Sequence, residues 1–264
     1  MSEASSSRRL RTAAYFGRLA ASYGSGEYYR KRREAVSAEL RRALGGIGRL
    51  LDLGCGNGYY LAEFGNLPGC HLAAGGDFSR EMLDEARRRL DHARTPALVC
   101  CDAMVLPFRS HSWDAIFCSH VLQIVEDVRQ CLSEIVRCLS PRGLLIVAGG
   151  VGGARGQIGA RIGNEWWSEL RRMFPRPTRT RSSREPGELR SACESIGFTV
   201  EIKEARFMAT GADLAEMYRI RWMPLVASAE RAAAEQILGR VEHEYGATKI
   251  EMTETLLVGS RGSN

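Results

Sequence analysis

Residues 50–60 read LLDLGCGNGYY, an apolar run that ends in an acid and opens at once into glycines at 54, 56 and 58. Leu50, Leu51 and Leu53 suit a buried strand, and glycines on alternate residues let the following turn approach a ligand with no side chain in the way. A nucleotide-like ligand would then lie against bare backbone at a helix N-terminus. The dinucleotide fingerprint G-x-G-x-x-G needs a third glycine for close helix packing, and that position here is Tyr59, which weakens a pyrophosphate reading. Taken alone, the glycines also fit a plain tight turn.

A strand ending in an acid and then G-x-G-x-G resembles motif I of class I S-adenosylmethionine-dependent methyltransferases. Further segments resemble the rest of that family's pattern, in order, over about residues 45 to 150. HLAAGGDFSREMLDEAR (71–87) looks like the second strand and its helix, with Asp77 nineteen residues past Gly58, where such folds place a carboxylate for ribose hydroxyls. ALVCCDAMVLPF (97–108) is similar to the third strand and the adenine-contacting loop. SWDAIFCSHVLQIVEDV (112–128) is similar to the fourth strand and the segment beside the cofactor's methionine part. The resemblance implies S-adenosyl-L-methionine as cofactor. It implies as binding residues Asp52, Gly54, Cys55, Gly56 and Gly58 of the loop, Asp77, Phe78 and Met82 after it, Asp102 for the exocyclic amine, Ala103 for a ring nitrogen, and Ser119. Asp77 and Asp102 also fit solvated strand-end acids.

Methyl transfer asks a protein chiefly to align a nucleophile with the S–CH₃ bond and exclude water. Where the acceptor carries a proton, His120 after the fourth strand or Tyr23 in the N-terminal region is the candidate base. Tyr23 or Tyr15 could also face the sulfonium by cation–π contact. His120 fits a packed histidine equally well. The segment CSHVLQ lacks the N/D-P-P-Y/F sequence that grips a base amine, and no Pro-Cys nucleophile occurs. Together with HVL and DFSREML, the chain resembles small-molecule methyltransferases of the quinone-biosynthesis and secondary-metabolite type, with an anionic or aromatic acceptor. Two alternatives stay open: an RNA methyltransferase and a non-catalytic S-adenosylmethionine-binding partner protein.

The RNA alternative comes from charge. The net +6 is uneven: +7 over residues 1–50, −3 over 51–150, +4 over 151–200 and −2 beyond, so basic segments flank the cofactor half. Only Lys31, Lys203 and Lys249 are lysines against 34 arginines, a skew that base composition also explains. The eight cysteines contain no C-x-x-C pair, which argues against zinc and a dithiol centre and for a reducing, cytoplasmic setting. No apolar run approaches a membrane span, and the Ser- and Arg-rich start lacks a secretory apolar region.

Residues 27–44 carry Val36, Leu40 and Leu44 in helical register before Gly45 and Gly46, and Val128, Leu132, Ile135 and Leu139 mark another helix face. Ser140-Pro141-Arg142-Gly143 is expected to turn the chain into a fifth strand, GLLIVAGG. Two more strands are expected in 198–207 and 249–260, separated by a helical region from 212 to 244 with a capping box at Thr210 and Asp213. The family resemblance makes this α/β, a doubly wound, mostly parallel seven-stranded Rossmann-like sheet with the last strand antiparallel, plus an N-terminal helical lid. One domain, 1–264, is expected: lid 1–44, cofactor half 45–150, a substrate-side excursion 151–197 and C-terminal strands with a helix 198–264. Substrate contacts are expected from Tyr15, Phe16, Tyr23, Tyr28 and Tyr29 of the lid. The excursion offers Trp166, Trp167, Met173 and Phe174 among its arginines.

Overall fold

The computed structural model describes residues 11–64, 66–90, 96–149, 169, 172–173 and 186–262. A short helix α1 (residues 11–17) precedes α2 (Glu27–Ala43), β1 (Arg49–Leu53), α3 (Tyr59–Phe64), β2 (Leu72–Asp77), α4 (Arg80–Arg89) and β3 (Ala97–Cys100). Then come β4 (Trp113–Ser119), α5 (Val128–Cys138), β5 (Leu139–Ala148), α6 (Pro186–Glu194), β6 (Phe198–Thr210), α7 (Gly211–Arg221), α8 (Arg231–Tyr245) and β7 (Lys249–Arg261).

The strands form one sheet in the order β3-β2-β1-β4-β5-β7-β6. β7 runs antiparallel to both neighbours and lies between β5 and β6, while the other strands are parallel. The order reverses between β1 and β4. In such sheets that reversal opens a crevice beyond the carboxyl ends of the strands.

Strand alternation sorts the core into two layers. Leu51 and Leu53 join Ile116, Cys118, Leu145 and Val147 under α5 and α6. Leu50, Ala115, Phe117 and Ile146 face α2, α3 and α4 through Val36, Leu40, Phe64, Leu83 and Ala86. Asp52 shares the phase of Leu50 and is 1% exposed.

A third cluster lies off the sheet proper. β5 pairs with β7 only from Leu256 to Ser260, whereas β6 pairs with β7 back to Thr210↔Lys249. The hairpin therefore overhangs the carboxyl end of β5. Tyr28 and Tyr29 of α2, Leu214 and Tyr218 of α7, and Ile237 and Val241 of α8 pack on the overhang around Phe207, Ile250 and Met252.

Two expectations need correction. Ser140–Gly143 is not a turn: β5 begins at Leu139, which pairs with Trp113, and an irregularity in the ladder absorbs the extra residues. The 212–244 region is two helices with short 3-10 turns between them, broken where Pro224 removes a backbone donor. The capping box forms as expected, with Thr210 N donating to Asp213 at 2.7 Å and Asp213 N to Thr210 at 3.2 Å.

Candidate active site at the sheet's switch point

The glycine loop is a left-handed backbone run, with φ of 74° at Gly54, 53° at Gly56 and 81° at Gly58. Gly54 N and Cys55 N donate to the Gly76 carbonyl at 2.7 and 3.1 Å, which ties the loop to the end of β2. A Cβ on Gly54 would fall 2.1 Å from a Val121 methyl, so that position admits glycine alone. Gly58 meets α4 instead: its Cβ would lie 3.2 Å from the Ala86 Cα. The close helix approach that a dinucleotide loop obtains at the next position is obtained here at Gly58.

Between this loop and the ends of β2, β3 and β4 opens a cleft of roughly 1000 Å³, counted to its solvent mouth. Its floor is Gly54, Gly56 and Gly76, and one wall carries Asp77, Phe78, Ser79 and Met82. Cys101, Asp102, Ala103 and Met104 form the next wall, and Ser119, His120 and Val121 the far one. Thr12, Phe16 and Tyr23 close it from the N-terminal side. Ten of the sequence-derived residues thus converge: Gly54, Gly56, Asp77, Phe78, Met82, Asp102, Ala103, Ser119, His120 and Tyr23. Asp52, Cys55 and Gly58 sit behind the floor and do not line the cleft. Trp166, Trp167 and Phe174 lie outside the described residues, whereas Met173 packs against the overhang cluster.

Asp77 accepts from Gly56 N and Ser79 N, both at 2.8 Å, so one carboxylate shapes the loop and starts α4. Burial raises its pKa, and these backbone donors oppose the rise. Asp52 lies deeper. Burial first, and then the charge of Asp77, raise its pKa well above the ordinary carboxylate value, and its Oδ2 has no partner among the described residues. Asp102 accepts from Met104 N at 2.9 Å, folding the wall into an Asx turn that presents Ala103. Burial pushes the Cys101 thiol up to about 12, so it stays protonated.

His120 has φ of 58°, a left-handed value uncommon away from glycine. Its Nε2 lies 2.6 Å from Arg32 Nη2 and 3.3 Å from Glu254 Oε1, and its Nδ1 lies 2.8 Å from Gln123 Nε2. Arg32 grips Glu254 through Nε at 3.0 Å and Nη2 at 3.1 Å, with both residues 7% exposed. Burial and then the Arg32 charge lower the His120 pKa, keeping the ring neutral, while Glu254 opposes them. Both ring nitrogens are therefore engaged. Burial raises the Tyr23 pKa, so its phenol keeps its proton.

Sequence reasoning did not find this Arg32–Glu254–His120 network. Its signal was present: Arg32 falls in the buried helix register of Tyr28, Val36 and Leu40, and Glu254 in the buried strand phase of Met252 and Leu256. Asn57 was also missed. Its buried amide donates to the carbonyls of Ala20 at 3.0 Å and Tyr23 at 2.7 Å, fastening the N-terminal segment over the loop. Tyr59 adds a second fastening, its ring 3.8 Å from the Arg33 guanidinium and 3.6 Å from that of Arg89.

The fold and cleft define a doubly wound α/β protein with an open cleft at its switch point. Residues 51–147 match the family described as Methyltransferase domain. The chain is 37% identical over 98 residues to the ubiquinone/menaquinone biosynthesis C-methyltransferase UbiE of Desulfotalea psychrophila, covering 37% of this chain and 39% of that protein. It is 36% identical over 138 residues to the biotin biosynthesis bifunctional protein BioHC of Cellvibrio japonicus, covering 51% and 26%. The match thus spans less than half the length of these relatives. Haemonchus contortus phosphoethanolamine N-methyltransferase 2, solved with S-adenosyl-L-methionine, shares the fold at a TM-score of 0.55 and 18% identity, covering 88% of this chain and 53% of that one. Residues 51–147, somewhat over a third of the chain, are thus similar to a methyltransferase domain, and the solved neighbour holds S-adenosyl-L-methionine as its cofactor.

The cleft fits that cofactor. A Cβ on Gly56 would have only the Met82 sulfur near it, at 3.9 Å, so any side chain there would stand in the space a ligand needs. Phe78, 37% exposed, offers an apolar face at the mouth. Among the described residues no group of three His, Cys, Asp or Glu is placed to hold a metal ion.

Proposed function

We propose that the protein transfers a methyl group from S-adenosylmethionine to a small-molecule acceptor, in biosynthesis of a quinone-like compound or secondary metabolite. The observation that carries this reading is one cleft framed by the glycine loop, Asp77 and the Asp102–Met104 turn, with an aromatic segment closing over it. In this reading the Asp77 carboxylate accepts from ribose hydroxyls, Asp102 and Ala103 N–H address the adenine edge, Phe78 covers its face, and Ser119 meets the methionine end. Asp52, Cys55 and Gly58 support the loop from behind. When bound, the cofactor supplies a sulfonium-activated methyl group.

Catalysis in this reading rests on positioning. His120 is neutral but has both nitrogens engaged, and Tyr23 holds its proton, so each is better suited to shape the acceptor side than to remove a proton. The Tyr23 ring faces the cleft where it can stabilise a sulfonium. The roles of UbiE and BioHC, in quinone and biotin biosynthesis, favour a small acceptor. Eight free cysteines suit a reducing, cytoplasmic setting. We read the elements from α1 to β7 as one unit in which α1 and α2 form the lid.

RNA as acceptor is disfavoured by the exposed arginines. Among the described residues, Arg30, Arg42, Arg87, Arg88, Arg190 and Arg206 each pair with a nearby Glu or Asp, so this part of the basic surface is already matched.

Calorimetric titration with S-adenosylmethionine and its demethylated product tests the cofactor, and mass spectrometry of a metabolite extract incubated with protein and cofactor tests the transfer. The expected result is binding of both and a new species heavier by one methylene. Absence of binding overturns the reading. Binding without a methylated product supports a non-catalytic partner protein, and retention on RNA at low salt supports the RNA alternative.

A further inference from the structure

Arg221 ends α7 beneath the lid, beside the overhanging hairpin. Its Nη1 donates to Tyr29 Oη at 3.0 Å, and its Cζ lies 5.6 Å from the Tyr23 ring and 5.2 Å from the Trp222 ring. Its Nε is buried and has no partner among the described residues. The Tyr15 hydroxyl is buried as well, and Arg221 opposes the burial that raises its pKa both by its charge and as a hydrogen-bond donor, which places the two groups side by side.

A guanidinium binds a carboxylate best through the edge formed by Nε and Nη2. This protein uses that edge repeatedly: Arg32 on Glu254, and Arg49 on Asp114 with Nε at 3.1 Å and Nη2 at 2.6 Å. At Arg221 the tyrosine takes the opposite nitrogen. No carboxylate among the described residues meets the Nε–Nη2 edge, although a buried guanidinium without an anion is costly. Arg32 is matched by Glu254 and His120 is neutral, so neither of these supplies an anion to Arg221. Its aromatic neighbour Tyr23 is shared with the cleft, so a molecule held at Arg221 would extend along Tyr23 and Phe16 toward His120.

We propose that the Nε–Nη2 edge of Arg221, with the Tyr15 hydroxyl, binds a carboxylate of the methyl acceptor. The acceptor class is a small carboxylic acid with an apolar or aromatic body, and the carboxylate is a handle at which no bond changes. This rests on the methyltransferase reading for the term "acceptor", but the anion site is testable on its own.

The test measures binding of benzoate, benzamide and inorganic phosphate to wild type, Arg221→Gln, Arg221→Lys and Tyr15→Phe, each saturated with S-adenosylhomocysteine. Benzoate should bind wild type about tenfold or more tightly than its neutral isostere. Arg221→Gln should erase that preference, Arg221→Lys should keep only part of it, and Tyr15→Phe should weaken benzoate roughly threefold. Affinity for S-adenosylhomocysteine should stay within about twofold, which also reports that each variant is folded. Equal binding of benzoate and benzamide, or an unchanged preference in Arg221→Gln, overturns the proposal. Phosphate binding as tightly as benzoate overturns its carboxylate specificity. If Arg221→Gln does not fold, Tyr15→Phe decides. Failure of wild type to bind S-adenosylhomocysteine would sink the methyltransferase reading instead, leaving the benzoate comparison to stand or fall separately.

Discussion

Both oxygens of Asp77 are engaged by backbone N–H groups, yet each carboxylate oxygen has capacity to accept a second hydrogen bond, and the residue lines the cleft. Replacing it removes the loop's anchor and, in the proposed reading, the ribose acceptor. Asp77→Ala should therefore weaken cofactor binding by about 1 to 3 kcal/mol, roughly fivefold to 150-fold, in a calorimetric titration. An unchanged dissociation constant in a folded variant would remove Asp77 from the binding set. Asp52 contrasts with it, being sealed behind the floor with a raised pKa and an oxygen that no described residue satisfies. A group raised in the folded state binds its proton more tightly there, so stability falls as pH rises through that folded pKa. Asp52→Asn should hence be more stable than wild type at pH 8, by on the order of 1 to 3 kcal/mol. The gap should close as the pH is lowered. Denaturant titrations across that range check it, and a gap that widens toward acid would refute the assignment. Asp52 and Asp77 were both legible as strand-end acids, because a carboxylate closing an apolar run stands out from its neighbours. Their different burial was not legible, because it depends on which helices cover each strand.

Helix α2 and strand β7 meet through one buried ion pair, Arg32 with Glu254. Breaking a buried pair strands a charge, whereas replacing both partners by apolar groups removes the desolvation cost together with the attraction. Arg32→Met and Glu254→Leu should each lower stability by about 3 to 5 kcal/mol, and the double variant by far less than their sum. Additive effects in the double-mutant cycle would show that the pair is not coupled. Helix α2 itself was readable from Val36, Leu40 and Leu44, and the capping box of α7 from Thr210 and Asp213. The start of α2 at residue 27 was expected, but what satisfies it was not readable. It has no side-chain cap of its own, and Glu27 N is satisfied at 2.8 Å by Glu216 of α7, a partner 189 residues away. The β5 boundary failed for a related reason: Pro141 and Gly143 signal a turn locally, but pairing to β4 holds them extended.

Across the whole molecule, the acid response should reflect where the network is buried. His120 has a folded pKa below its unfolded one, so the unfolded state gains a proton first and stability drains as pH falls from about 6.5. Glu254 is depressed, its stabilisation being present above its unfolded pKa and lost below it, so a second loss begins under about pH 4.5. A His120→Gln variant should lose the first phase and keep the second in stability measurements from pH 8 to 3. Identical profiles for variant and wild type would overturn that account. By itself the sequence determined the strand–loop–helix that receives the cofactor and the acids that follow each strand. These are short-range patterns: apolar phase, glycine spacing and one acid per strand end. Only the tertiary structure decided which of those residues face the cleft and which stand behind it. It also gathered Arg32, Glu254 and His120 into one network at the cleft and set Arg221 beside the lid. Those side chains come from distant elements, and Glu254 lies on β7, whose insertion between β5 and β6 carries it past the end of β5.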